Sequence, residues 1–335
     1  MLLNPLQARA VFTHALEYHY AILAVNADSP AAVNDCLEAA RQADAPIIIE
    51  TSLWQLTGHS FGMGDAWLGM KRFMTQLEVM AQSERYAKIP VFYHTDHIKG
   101  AVALPLLRDA VRGLEVTMGG IVAHLSPTTI SLDSSELSEA ENIGAILELC
   151  TAALESGRSI TLEMEAGVDD GLTPLEVAER LLGGVESKAP GQVYLWAPGV
   201  GTQHGLGDQG GFDASTVAQH QQFASSLTGR PIGIALHGSS GLSEHGLREA
   251  VAAGVAKVNW SSESLLLRSK TALEFYQTHT AQLEKTHKDW KNTAMDNGLQ
   301  RFVSEVYVQK VVERITLLGG AGHASELTRV LEGTA

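Results

Sequence analysis

The chain predicts an α/β protein, a single (β/α)8 TIM barrel with a helical C-terminal extension. Three observations carry that expectation. Short apolar, β-favouring runs alternate with amphipathic stretches from Ala21 onward. Eight such runs pass before the chain turns wholly helical, and eight alternating units favour a closed barrel over an open sheet. Polar and metal-capable residues gather just past the C-terminal ends of the runs, the rim where such barrels carry their chemistry.

The first strand covers 21–25 and ends at Asn26; a helix over 31–43 follows, with Val33, Cys36, Leu37 and Ala40 at helical spacing. The second strand, 46–52, opens on a proline and ends at Ser52, and a glycine-bearing loop over 58–64 leads to a long helix over 67–86. The third strand, from Pro90, ends in His94-Thr-Asp-His97. A helix over 104–111 tolerates Pro105 in its first turn. A weak strand over 128–132, a polar turn over 133–135, a helix over 141–154 and a strand over 158–164 come next. The helix over 174–182 has Thr173 as N-cap, Pro174 first and Glu176 third. Strands over 192–197, 231–236 and 256–260 alternate with helices over 214–227 and 243–253. This rhythm implies parallel strands with crossover helices. Helices over 264–282 and 295–318 end the pattern, and no linker or low-complexity run divides 1–335, so one domain is expected.

At 335 residues and 45% hydrophobic, the chain can bury a large core. A net charge of −14 argues against nucleic acid and anionic membrane as partners, and leaves room for a small anion in a local pocket. Cys36 and Cys150 fall in helical stretches and read as small core residues in a reducing compartment. The first residues lack a signal-peptide pattern and no apolar run is long enough to span a bilayer, so the expected location is cytoplasmic.

The rim is where the chemistry concentrates. His97, His204 and His237 each fall just past a strand. Three imidazoles leave an open position on a borderline-soft divalent ion, the pattern of a catalytic zinc. For any single one of the 13 histidines, a separate hydrogen-bonded role is the better reading; three at strand ends favour the metal. His14, His323 and the remaining helix, loop and terminal histidines receive no role, His94 reads as a supporting residue, and His124 stays open. Glu163 and Glu165 close the fifth strand, as alternative ligands or as groups that orient the histidines. Asp96, next to His97, is placed for proton transfer. Glycine-rich segments at 198–207 and 237–241 can bring backbone N–H groups close to a ligand, and Ser261 and Ser262 sit at a helix start. A phosphate site is therefore expected from Gly205, Gly238, Ser239, Ser240, Asn259, Ser261 and Ser262, with Asn26 and Ser52 nearby.

These residues resemble the class II, metal-dependent ketose-bisphosphate aldolases, which act on fructose and tagatose bisphosphates. His94-Thr-Asp-His97 is the most specific match. Val25-Asn26, Ala45-Pro-Ile-Ile-Ile, 131–143, Leu162-Glu-Met-Glu165 and Gly201-Thr-Gln-His-Gly205 extend it. So do Leu236-His-Gly-Ser-Ser-Gly241, Lys257-Val-Asn259, Val311-Val-Glu-Arg314 and 319–322. The resemblance implies a zinc-dependent lyase of carbohydrate metabolism and glycolysis. It would reversibly cleave a phosphorylated ketose to dihydroxyacetone phosphate and an aldehyde. One zinc, an additional monovalent cation and a homodimer or homotetramer come with that expectation. A second proton-transfer acid is expected at Asp169 or Asp170, where the family's loop carries glutamates. Other departures, at 206–209, at Ser261-Ser262 and at 285–291, bear on the substrate more than on the reaction. An aldolase for a monophosphorylated or modified sugar and a non-catalytic sugar-phosphate binder are the alternatives. A metal-dependent hydrolase barrel is disfavoured, because 21–26 carries no His-x-His pair.

Overall fold

The computed structural model describes residues 1–134, 136–166, 171–206 and 211–332. Its first element, α1 (Pro5–Glu17), is absent from the sequence expectation. Asn4 starts it with a capping box: its side chain accepts from the N–H groups of Leu6 and Gln7, while the Gln7 side chain accepts from the N–H of Asn4. The helix buries Ala8, Val11, Phe12 and Ala15 against the N-terminal end of the barrel.

All eight expected barrel strands form: β1 (Ile22–Asn26), β2 (Ile47–Thr51), β3 (Val91–Ile98), β6 (Thr129–Leu132), β7 (Leu162–Glu165), β8 (Val193–Ala197), β9 (Gly233–Leu236) and β10 (Val255–Trp260). Each pairs in parallel with the next, and β10 pairs with β1 to close the barrel. Burial on both faces explains why they read as continuous apolar runs. β4 (Leu114–Met118) and β5 (Ile121–Leu125) form an antiparallel hairpin outside the barrel, also absent from the expectation. Its turn, Gly119-Gly120, has φ of 57° and 84°, a conformation that glycine supplies without steric cost.

The crossovers are α2 (Pro30–Ala43), α3 (Leu53–Thr57) with α4 (Ala66–Gln82), α5 (Ala103–Arg112), α6 (Glu139–Glu155), α7 (Leu175–Glu186), α8 (Ala214–Thr228) and α9 (Glu244–Ala252). After β10 come α10 (Ser262–His279), α11 (Trp290–Ala294), α12 (Asp296–Leu317) and α13 (Ala324–Glu332). Several expected boundaries shift, among them the end of α4, at Gln82, the start of β7, at Leu162, and two at the rim. Pro174, not Thr173, is the N-cap of α7; the Thr173 hydroxyl instead accepts from the N–H of Gly199 at 2.8 Å, tying two rim loops together. α10 starts at Ser262, which puts Ser261 at its N-cap.

Register sets what faces inward. Parallel partners share a face, so Ala24, Ile48 and Phe92 form one interior layer. Two residues further along, Asn26, Glu50, His94 and Thr129 form the layer above it. Val25, Ile49 and Tyr93, between the layers, point outward into the core under the helices. Among the described residues, no helix is long and apolar enough to cross a membrane.

Candidate active site

β3 must turn two neighbouring residues, Asp96 and His97, toward the mouth, although strand alternation sends neighbours to opposite faces. The backbone solves this locally. His97 has φ 48°, uncommon for a residue with a Cβ, and the register with β6 shifts between Thr95 and Ile98. His237 follows β9, and His204 comes from the loop after β8. Gly238 lets these two segments meet: its φ is 66°, and a Cβ there would lie 2.5 Å from the Gln203 carbonyl oxygen.

The three histidines converge. Nε2 of His97 lies 3.2 Å from Nε2 of His204 and in close contact with Nδ1 of His237. One donor atom from each falls within 4.8 Å of the others. Behind them stand carboxylates: His97 Nδ1 is 2.9 Å from Glu165 Oε2, and His237 Nε2 is 2.7 Å from Glu163 Oε1. Ser131 donates to the other oxygen of Glu165. Glu163 and Glu165 thus sit behind the rings and outside the group of facing nitrogens.

Carboxylates only accept, so the nitrogens of His97 and His237 that face Glu165 and Glu163 carry protons; Nδ1 of His237 then presents a lone pair to the centre, and Nε2 of His97 does so once a metal ion takes the place of its proton. Burial, reinforced by His97 and Lys257, keeps the His237 pKa well below its ordinary value, so that ring is neutral. Burial opposes charge on His97 too, but Glu165, Asp96 and Asp133 outweigh it and raise its pKa well above the ordinary value. These carboxylates therefore favour a cation at the facing nitrogens. A tetrahedral zinc with Zn–N of about 2.0–2.1 Å holds its nitrogens roughly 3.3 Å apart, and the residues here fit such an ion.

Asp96 stands beside this cluster, with Oδ1 3.9 Å from His97 Nε2. Asn26 Nδ2 donates to its Oδ2 at 2.9 Å and Asn259 Nδ2 to its Oδ1 at 2.8 Å. Burial pushes its pKa up, but His97, Lys257, His237 and the Asn26 hydrogen bond outweigh that, and Asp96 is ionised. A cavity of about 180 Å³ opens over these groups. Its walls are Asn26, Ser52, Asp96, His97, His204, Gly205, Gly238, Ser239, Ser240, Asn259, Ser261 and Ser262. Every residue expected to bind substrate or phosphate therefore lines one space. Asp169 and Asp170 lie outside the described residues.

The family model for class II fructose-bisphosphate aldolase matches residues 6–323. This chain belongs to that family. As a member it is an aldolase, a carbon–carbon lyase. The fructose-bisphosphate aldolase of Haemophilus influenzae is 28% identical over 305 residues, covering 82% of this chain and 81% of its own length. The fructose-bisphosphate aldolase of Streptococcus pyogenes serotype M1 is 28% identical, with 80% and 82% covered. Two solved structures share the fold. Fructose-bisphosphate aldolase from Campylobacter jejuni matches with a TM-score of 0.78 at 20% identity, covering 96% of this chain and 95% of that one. The YdjI aldolase from Escherichia coli K12 matches with a TM-score of 0.69 at 20% identity, covering 97% and 100%.

This aldolase has a charged floor under its site, in which sequence reasoning gave roles to His94 and Glu163 but none to Glu50 or Lys257. Glu50, His94, Glu163 and Lys257 are each 0% exposed. Lys257 Nζ lies 3.0 Å from Glu163 Oε2 and 3.4 Å from Glu50 Oε2. Burial opposes the Lys257 charge, but Glu163, Glu50 and Asp96 outweigh it and raise its pKa. Burial, then Asp96, raises the Glu50 pKa well above its ordinary value, while Lys257 helps to hold that of Glu163 below its own. His94 Nδ1 pairs with Thr129 Oγ1 at 2.8 Å. The signal was present: a lysine inside Val255-Ala-Lys-Val258 and a glutamate after Ile47-Ile-Ile49 are charges within apolar strands.

Proposed function

We propose that this chain is a zinc-dependent aldolase that reversibly cleaves a phosphorylated ketose to dihydroxyacetone phosphate and an aldehyde. One observation carries the reading: His97, His204 and His237 converge beside an ionised Asp96 in a cavity walled by serine, glycine and asparagine. A divalent ion held by the three histidines would supply Lewis-acid stabilisation for the charge that bond cleavage leaves beside a ketone. Asp96 takes the proton from the substrate hydroxyl that becomes the aldehyde and returns it in the synthetic direction. Asn26 and Asn259 aim its carboxylate and keep both oxygens accepting. Glu163 and Glu165 hold protons on the outer nitrogens of His237 and His97, so that with a metal ion bound the facing nitrogens would be its ligands. The start of α10, with Ser261 and Ser262, and the turn at Ser239 and Ser240 offer N–H groups and the hydroxyls of Ser240, Ser261 and Ser262 to the phosphate of the dihydroxyacetone half, the Ser239 hydroxyl being donated to the Asn259 carbonyl. The second acid, at Asp169 or Asp170, rests on the resemblance alone. Elemental analysis and an assay for dihydroxyacetone phosphate release against a panel of sugar phosphates test the reading. Equal metal content in the native chain and His237→Ala, or no release from any ketose phosphate, would sink it.

The aldehyde half need not carry a phosphate. Among the described residues, no lysine or arginine lines the cavity. Lys99 pairs with Glu136 at 3.2 Å and Asp133 at 3.8 Å, and Lys288 and Lys291 lie on the exposed surface. Fructose 1,6-bisphosphate should therefore hold less than about a 10²-fold kcat/KM advantage, about 2.7 kcal/mol, over a 1-phosphate ketose. A larger preference would reveal a second anion site, in this chain or from a partner in the homodimer or homotetramer that the resemblance implies.

A further inference from the structure

A second cluster of nitrogen and oxygen donors lies at the opposite end of the barrel, between α1 and the turn into α13. His14, on α1, is 6% exposed, and its Nε2 is buried with no hydrogen-bond partner. That atom lies 3.7 Å from Oε2 of Glu326, and the same oxygen lies 3.3 Å from Nδ1 of His323. Donor atoms of the three residues fall within 4.8 Å of one another. Aromatic neighbours hold both rings. His14 stacks on Tyr18 at 4.2 Å between centroids, and His323 stacks on Tyr20 at 4.2 Å. Nδ1 of His14 lies 3.1 Å from the Tyr20 hydroxyl.

These contacts leave Nε2 of His14 without a hydrogen-bond partner. When Nδ1–H of His14 donates to Tyr20, Nε2 presents a lone pair toward a carboxylate oxygen. In that tautomer a cation between the two acceptors satisfies both; in the other, Tyr20 donates to Nδ1 and Nε2–H faces Glu326. The spacings of 3.3 and 3.7 Å are near the roughly 3.3 Å between ligand atoms around a tetrahedral zinc. The Glu326 and His323 side chains are 37% and 20% exposed, which gives an ion a way in and leaves room for water as a further ligand.

We propose that His14, His323 and Glu326 form a second divalent-metal site that takes zinc through two imidazoles and a carboxylate. The site is structural. It joins α1 to the segment leading into α13, and so clips the beginning of the chain to its end beneath the barrel. Leu327 and Leu331 of α13 already pack into the same apolar cluster as Phe12 and Ala15 of α1, so the donors are brought together before any ion binds. A bond between residues so far apart in sequence restricts the unfolded chain strongly, and an ion that binds only the folded form stabilises it by mass action.

The test is a zinc titration of the full-length chain after chelator treatment, with bound metal counted after gel filtration. His323→Phe keeps a ring to stack on Tyr20 and removes one ligand; Glu326→Ala, at a half-exposed position, is a second probe. The expected result is one fewer zinc per chain in each variant than in the native chain. The native chain should also show a zinc-dependent rise in Tm that both variants lack. Because the readout is a difference, it holds whether or not the rim histidines bind metal. Aldolase activity at saturating zinc should be unchanged. The same zinc count in native chain and variants overturns the proposal, as does a second zinc that binds only at millimolar concentration.

Discussion

The two ends of the barrel interior obey different physics although they are one layer apart. At the N-terminal end, Ile22, Ala24, Ile48, Phe92, Leu195 and Ala235 pack with Phe12 of α1 into a sealed apolar plug. Two residues further along β2 and β3, Glu50 and His94 are held away from water, and the buried Lys257 and Glu163 meet them there. The lower layer stabilises the fold by removing apolar surface from water, roughly 25 cal/mol per Å². The upper layer costs desolvation, which the Lys257–Glu163 pair offsets only in part. What it gains is orientation, because Glu163 is also the carboxylate behind His237. Stability and chemistry are thus stacked in one barrel and should be separable by mutation.

The largest effect is expected at the rim. Asp96→Ala should keep its metal and lose turnover by about 10²–10⁴-fold, the usual share of general acid–base catalysis. Near-native kcat, or loss of metal, would mean that Asp96 has another role. Below the rim, Lys257→Met leaves the Glu163 charge buried without its partner, and stability should fall by about 3–5 kcal/mol in urea unfolding. A neutral outcome would show that the floor relaxes or takes in water. Phe12→Ala, in the plug, should cost a similar amount, about 3–5 kcal/mol, through a cavity. Unlike the rim change, it should leave kcat/KM of the folded enzyme unaltered, and a large drop in kcat/KM would erase the proposed separation.

The smallest effect concerns pH at the lower end. His14 has a folded-state pKa below the ordinary 6.5, so the unfolded chain takes up the proton first as pH falls. Its contribution is fully present above about pH 6.5 and is lost as pH drops toward the folded-state value. In chelator, the urea midpoint of the native chain should fall more steeply than that of His14→Leu between about pH 7.5 and about pH 5.5. Identical slopes would show that His14 is not held neutral by its surroundings.

Alternation of apolar runs and amphipathic stretches was enough to specify the barrel, because strands buried on both faces leave an unmistakable pattern. The same pattern located the rim, and with it the three histidines, Asp96 and every wall residue of the cavity, since chemistry in such barrels follows strand ends. The hairpin at Leu114–Leu125 and the capping box at Asn4 carried local signals that are readable from the residues alone. Tertiary structure decided the rest. Which residues share a layer depends on register around a closed sheet, so the meeting of Lys257 with Glu50 and Glu163 could not be read from any one strand. That Asp96 and His97 both face the mouth depends on a left-handed backbone turn that no periodicity announces. The encounter of His14 with His323 and Glu326 exists only because barrel closure brings α1 and the start of α13 together beneath the strands.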